Sequence, residues 1–157
     1  MPRFRWNELN KQQVGAFAEY FVTMEFTMCG FQVYGTEVDD RGVDFVARYD
    51  KNDFIEIQVK SLRKPGYVFM QKEKFHLRNE LYLALVLLFK EQEPILYLIP
   101  SLAWAGRDPM FVSRDYEGLK SKPEWGLQIS ETSLASLEPF SFWPTIERMK
   151  SATQGIK

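Results

Sequence analysis

The chain has 157 residues, 45% of them hydrophobic, which is enough for one domain with a substantial core, so we expect a single domain over residues 1–157. A formal net charge of −1 argues against a protein that coats nucleic acid non-specifically, and the lone cysteine, Cys29, rules out an internal disulfide. The longest apolar block, residues 81–89, is too short to span a membrane and the N-terminus lacks the order of a secretion signal, which predicts a soluble, cytoplasmic protein.

Residues 10–30 predict a long first helix. Asn10 and Gln13 have the spacing of a capping box, and Gly30 is suited to the helix end. Glu19 stands within an apolar run, where a carboxylate requires a partner or a function. Two apolar sets follow helical spacing, so we expect packing on more than one face: Phe17, Phe21, Met24 and Met28, and Val14, Ala18, Val22 and Phe26.

Residues 31–61 predict a short strand followed by a β-hairpin. The last strand alternates between an apolar set, Ile55, Ile57 and Val59, and a polar set, Glu56, Gln58 and Lys60. A turn of residues 50–52 would set Asp44 opposite Gln58, and a turn of five residues would set it opposite Lys60. Either odd-length turn places Asp44 on the same face as the polar set.

The remaining residues predict further strands with short connections. Strands are expected at 67–71, 81–89, 94–100 and 110–116, a short helix or helical turn at 72–80, one helical turn at 101–106, a surface loop at 117–124, and a short strand with one or two short helices at 125–154.

A basic segment begins where the hairpin ends. Residues 60–79 carry six Lys and Arg residues against one Glu, a net charge of +5. Aromatic residues lie among them, so the segment is compatible with a nucleic-acid contact surface, and an ordinary solvated surface is the alternative. The candidate DNA-binding residues are Arg63, Lys64, Lys72 and Lys74.

The polar residues of the hairpin have a pattern suited to cutting phosphodiester bonds. Carboxylate and amide oxygens, here Asp44 and Gln58, are hard ligands of the kind that Mg²⁺ prefers. Such an ion lowers the pKa of its bound water, and a lysine such as Lys60 positions that water or offsets charge on the phosphate. The hairpin is therefore compatible with metal-dependent hydrolysis, and the alternative is an ordinary strand with one solvated polar face.

The order of these motifs resembles the PD-(D/E)XK nuclease superfamily. The matching features are a helix with Glu19, a short strand, "GVD" at 42–44, the hairpin, and "IQVKS" at 57–61, and the Gly15-x-x-x-Glu19 spacing is similar to that of the Holliday-junction-resolvase-like branch. The resemblance covers roughly residues 10–61 and the strand order that follows. It implies a restriction-endonuclease-like α/β sandwich, in which helices flank a central mixed β-sheet.

The resemblance also implies a site and a substrate. Asp44, Gln58 and Glu19 would bind Mg²⁺ or Mn²⁺ together with the main-chain carbonyl of Val59, and Lys60 would be the catalytic lysine. The implied substrate is DNA. A homodimer or a larger homo-oligomer is expected, because a nuclease of this size needs two sites to cut both strands.

One residue departs from the family pattern. Gln58 stands where the second acid is usual, and its amide oxygen brings no negative charge; some homing endonucleases of the superfamily are similar in carrying Gln-x-Lys. Glu19 or Glu56 could compensate, so Glu56 is a further candidate for the site. Two functions therefore remain: a metal-dependent DNA endonuclease, and a catalytically silent nuclease fold that binds DNA or a protein partner.

Overall fold

The computed structural model of the chain describes residues 3–37 and 42–154. A short 3₁₀ turn at Trp6–Glu8 leads into the helix α1, Lys11–Met28. The Asn10 side chain accepts a hydrogen bond of 2.8 Å from the Gln13 N–H, and the Gln13 side chain accepts one of 2.9 Å from the Asn10 N–H. The predicted capping box is thus present, and Gly30, with φ of +90°, follows the helix end.

Only one of the two apolar sets of α1 is fully buried, namely Val14, Ala18, Val22 and Phe26. Phe17 and Phe21 pack at the edge of the core, whereas Met24 and Met28 are exposed. The expectation that α1 packs on more than one face is therefore wrong for its second half, because the helix is an outer layer on a sheet.

The strands in the described part of the chain are β1 Phe31–Gly35, β2 Phe45–Tyr49, β3 Ile55–Leu62, β4 Gly66–Gln71, β5 Leu81–Leu87, β6 Ile95–Pro100, β7 Phe111–Arg114 and β8 Glu124–Ile129. Five of them form a mixed sheet in the order β1-β2-β3-β5-β6. β3 and β5 are parallel, and the other neighbours are antiparallel. The predicted strands are present, and the central mixed sheet is that of the expected fold class.

The hairpin of β2 and β3 has the register of the three-residue turn. Phe45 pairs with Ile57, Val46 with Glu56 and Ala47 with Ile55. Because side chains alternate along both strands, this register brings Asp44 to the level of Gln58, as the shorter of the two predicted turns requires.

Each face of the central sheet has its own apolar core. On one face α1 and the C-terminal helix α2, Phe142–Gln154, pack against alternate residues of β2, β3 and β5. On the other face a second sheet, with antiparallel strands in the order β4-β8-β7, packs against β5 and β6. This second sheet was not predicted, because alternation identifies a strand without indicating which sheet it joins.

The sequence predicts a short helix or a helical turn at residues 72–80. Residues 72–74 form a turn, and the following residues up to 78 have no helix. The predicted helical turn is present at Ser101–Ala105, and a longer 3₁₀ segment, Ser133–Phe140, precedes α2.

None of the helices in residues 3–37 and 42–154 is both long and apolar enough to cross a membrane.

Candidate active site

Asp44 is attached to β3 by both its side chain and its main chain. Its Oδ2 accepts a hydrogen bond of 2.6 Å from the N–H of Val59, and its own N–H donates to the carbonyl of Ile57 at 2.9 Å. The Thr36 hydroxyl donates to the Asp44 carbonyl at 3.1 Å. These bonds fix the carboxylate beside the middle of β3, where the sequence motif requires it.

The polar face of β3, defined as Glu56, Gln58 and Lys60, is not a solvated surface. Gln58 is only 9% exposed, and Glu56 and Lys60 are half-buried. Ile57 is fully buried on the opposite face, so the two faces alternate as predicted. Within the described residues, Gln58 Oε1 is a buried acceptor that has no hydrogen-bond partner. An unsatisfied buried acceptor costs about 1–3 kcal/mol, which makes this oxygen a candidate ligand for a cation.

Gly42 closes over the Gln58 amide. Its φ of +72° is in the left-handed region that favours glycine. A Cβ at this position would lie 3.1 Å from both Cβ and the carbonyl oxygen of Lys74, and 3.6 Å from Gln58 Oε1. The glycine of the "GVD" motif therefore allows the main chain to approach both residues, and Lys74 lies next to the candidate site.

Glu19 and Asp44 line one cavity of about 550 Å³, together with Tyr20, Thr23 and Thr36 among others. Glu19 is exposed on α1, although its sequence neighbours are mainly apolar, because α1 turns this side of the helix away from the core. The structure thus brings the two carboxylates to one cavity, which we name the carboxylate cavity. It joins residues that are far apart in sequence.

Lys60 lines a second cavity of about 610 Å³, between the start of α1 and the end of β3. Four cationic side chains line it, Lys11, Lys60, Arg63 and Lys64, and its lining residues include no carboxylate; we name it the basic cavity. Val59 connects the two cavities. It lines the basic cavity, and its N–H donates a hydrogen bond to Asp44, which lines the carboxylate cavity. Lys11 was missed from the sequence, since nothing in the sequence indicates that the first turn of α1 lies beside β3.

Two of the predicted DNA-binding residues are engaged within the protein. The Arg63 Nη1 donates to the carbonyls of Trp6 and Leu9, at 3.1 Å and 2.9 Å, and so anchors the N-terminal segment. Lys72 Nζ donates to Ser113 Oγ and to Asp115 Oδ1, each at 2.7 Å, and lies 4.0 Å from the centre of the Trp125 ring. Lys64 and Lys74 are exposed. Internal contacts thus occupy two of the four basic residues, and the other two are exposed.

Glu56 is also engaged, because its carboxylate pairs with the Arg78 guanidinium. This pairing orients Glu56 toward the start of β5, since Glu56 aligns with Leu81 in the parallel register of β3 and β5. Glu56 thus lies on the predicted face, with its charge already compensated by Arg78.

The oxygen atoms around Asp44 and Gln58 are of the kind that binds hard cations such as Mg²⁺, but few of them carry a negative charge. Within the described residues, no group of three His, Cys, Asp or Glu side chains could hold a metal ion. A cation here would depend on amide and main-chain oxygens in addition to carboxylates, and the buried Gln58 Oε1 is an oxygen of this kind. Oxygen ligands of this kind suit a magnesium-type ion better than zinc, for which nitrogen and sulfur ligands are usual.

The sequence matches no protein-family model and no curated protein. Several solved structures are similar in fold, including the following two. A Holliday junction resolvase from the archaeal hyperthermophile Archaeoglobus fulgidus is 15% identical, with a TM-score of 0.56 over 85% of this chain and 95% of that chain. A bacterial homing endonuclease is 13% identical, with a TM-score of 0.55 over 95% of this chain and all of the other. The chain therefore shares its overall fold with these two nucleases, as the resemblance of its motifs led us to expect.

Proposed function

We propose that this protein is a metal-dependent DNA endonuclease that hydrolyses phosphodiester bonds at Asp44, Gln58 and Lys60. The observation that carries the proposal is the buried Gln58 Oε1, which has no hydrogen-bond partner in residues 3–37 and 42–154 and lies on the strand to which the Asp44 carboxylate is bonded. The similarity in fold to a Holliday junction resolvase and to a homing endonuclease supports DNA as the substrate.

Asp44, Gln58 Oε1 and the Val59 carbonyl would hold Mg²⁺ or Mn²⁺, with Glu19 binding directly or through water. When bound, the ion would lower the pKa of a water and offset negative charge on the phosphate. The Asp44 carboxylate is already oriented by Val59, so little reorganisation of this side chain is required. With two carboxylates rather than three, the affinity for the ion should be modest.

Lys60 would act on the phosphate and the attacking water. It follows Gln58 by two residues on the same face of β3, and it lines the basic cavity. Its ammonium group can donate hydrogen bonds to a phosphate oxygen and stabilise the negative charge that develops there during hydrolysis. This assigns to Lys60 a role in catalysis rather than in metal binding.

DNA would be bound through local charge, since the formal net charge of the chain is −1. The basic cavity places Lys11 and Lys64 beside Lys60. Lysines that neutralise phosphates release counterions, so binding should weaken steeply as salt concentration rises. A homodimer remains part of the proposal, because two such sites are needed to cut both strands.

The alternative is a catalytically silent nuclease fold that binds DNA or a protein. The observation that favours it is the absence, within the described residues, of a group of three acidic or other usual metal-binding side chains. A Gln at position 58 removes one negative charge from the site, and this loss could abolish productive metal binding.

The two functions are separated by measuring Mg²⁺ binding and cleavage on the same preparations. Wild type should bind Mg²⁺ and cut at least one of linear, supercoiled, single-stranded or branched DNA in Mg²⁺ or Mn²⁺. Asp44→Asn should lose binding and cleavage together, whereas Asp53→Asn, an exposed acid in the hairpin turn, should retain both. If wild type cuts none of these substrates while Gln58→Glu does, the protein is a catalytically silent nuclease fold and the alternative function is correct.

A further inference from the structure

The outer face of the second sheet carries an aromatic pair, of which Phe69 is exposed and Tyr67 is half-buried. Alternation along β4 directs Val68 and Met70 into the core between the sheets, and Tyr67 and Phe69 away from it. The two rings are nearly parallel, with an interplanar angle of 19° and centroids 6.5 Å apart. Phe69 is 48% exposed.

Tyr67 is held rigidly in this pair. A Cβ at Gly126 would lie 2.3–2.4 Å from its ring atoms, so the ring lies directly on the glycine of β8. Its hydroxyl donates to Glu124, which is 7% exposed and also accepts a 2.9 Å bond from Tyr116. The Arg114 guanidinium lies 4.6 Å from the centre of the Tyr67 ring. These contacts therefore hold the Tyr67 ring in place before any ligand binds. The Glu124 carboxylate, being buried, is not presented to a ligand.

The aromatic pair is continuous with the basic cavity. Tyr67 lines that cavity together with Lys60 and Lys64, and it stacks on Phe69 on the other side. A path thus runs from the candidate catalytic lysine, past the cationic groups, to an exposed aromatic ring. Cationic side chains that follow a phosphate backbone next to rings that stack with bases are the two components of single-strand recognition.

We propose that this surface binds a single-stranded segment of DNA. Phosphates enter the basic cavity, and an unpaired base stacks on Phe69. A duplex does not provide this contact, because the faces of its paired bases are covered by their neighbours in the stack. The inference rests on the proposed function for DNA as the ligand, and it adds that the substrate contains unpaired nucleotides.

Binding is tested in EDTA, so that the result does not depend on metal or catalysis. The probes are a short fluorescent single strand and the duplex formed from it, with affinity measured by anisotropy. Phe69→Ala should weaken single-strand binding by about tenfold and change duplex binding by less than twofold. Lys64→Ala should weaken both and reduce the salt dependence of log K by roughly one unit of slope.

Two matched controls lie at the hairpin turn, away from this surface. Phe54 is 44% exposed and Lys51 is exposed, so Phe54→Ala and Lys51→Ala should leave single-strand affinity within twofold of wild type. Equal losses for Phe69→Ala and Phe54→Ala, or equal losses on single strand and duplex, would overturn the inference.

Self-association is the other possible use of the exposed ring. If Phe69→Ala converts a dimer into a monomer in sedimentation without a selective loss of single-strand affinity, the surface is a contact between copies and the inference is wrong. Selective binding of the single strand by a protein that cuts no DNA in Mg²⁺ or Mn²⁺ would support this inference while refuting the proposed nuclease activity.

Discussion

At the scale of single residues, position 58 determines the charge of the candidate metal site. Gln58→Glu places a carboxylate beside Asp44, so Mg²⁺ affinity should rise several-fold in calorimetric titration. Burial favours the neutral form of the new acid, so the gain should increase with pH. Gln58→Ala, which removes the oxygen ligand, should lower the affinity instead. Equal Mg²⁺ affinities for all three proteins would show that position 58 is not a ligand.

Arg63 and Lys64 are neighbours in sequence, but Arg63 bonds the N-terminal segment whereas Lys64 is exposed. Substituting each residue should therefore affect stability differently. Arg63→Ala removes two hydrogen bonds from a charged donor to main-chain carbonyls, so the free energy of unfolding should fall by about 1.5–3 kcal/mol. Lys64→Ala, at an exposed position, should change it by less than about 0.5 kcal/mol. Urea denaturation measures both. A destabilisation by Lys64→Ala as large as that by Arg63→Ala would contradict this assignment.

The individual site residues could be predicted from the sequence only in part. Alternation identified the polar face of β3, and the short motif identified Asp44 beside it. The partners of Arg63, Lys72 and Glu56 could not be predicted, because each contacts a residue brought close only by the fold. For the same reason, a count of charges over residues 60–79 does not distinguish DNA-binding residues from structural ones.

At the scale of elements, α1 carries both Glu19 and one wall of the basic cavity, so its first turn should affect stability. Asn10→Ala removes the acceptor of the Gln13 N–H bond and should lower the free energy of unfolding by about 1 kcal/mol. Gln12→Ala, an exposed substitution in the same turn, should be neutral or slightly stabilising. The comparison is made by urea denaturation, and equal stabilities for the two variants would exclude a contribution from the cap.

The elements of the central sheet were more predictable than their assembly. An odd-length turn between two alternating strands predicted which residues share a face but left two registers open, and the capping box located the start of α1. The second sheet could not be predicted from the sequence. Its strand β4 pairs with β8, yet it is separated from β7 and β8 by β5 and β6, which belong to the central sheet. The aromatic surface beside the basic cavity depends on this pairing.

At the scale of the whole molecule, stability should decrease in alkaline solution. Burial raises the pKa of Tyr67, Tyr82 and Tyr97, and for Tyr67 the Glu124 carboxylate adds to the effect. A raised folded-state pKa means that the stabilisation is complete below the ordinary value of 10.0 and is lost as the pH rises above it. The free energy of unfolding should therefore fall above about pH 10.

Tyr67→Phe provides the comparison for this pH dependence. It should reduce the alkaline slope of the unfolding free energy, because one of the shifted phenols is removed. Urea titrations at several alkaline pH values measure the slopes, and equal slopes for wild type and Tyr67→Phe would be inconsistent with a raised Tyr67 pKa.

The central claim is that the molecule hydrolyses DNA at the polar face of β3, and single-turnover cleavage by Lys60→Ala tests it most directly. Loss of the lysine should reduce the rate by roughly 10²-fold or more while Mg²⁺ affinity and the unfolding midpoint stay near those of wild type. Lys51→Ala, at the exposed hairpin turn, should cut at the wild-type rate. If Lys60→Ala cuts DNA as fast as wild type, the catalytic site is not on β3 and the account is wrong.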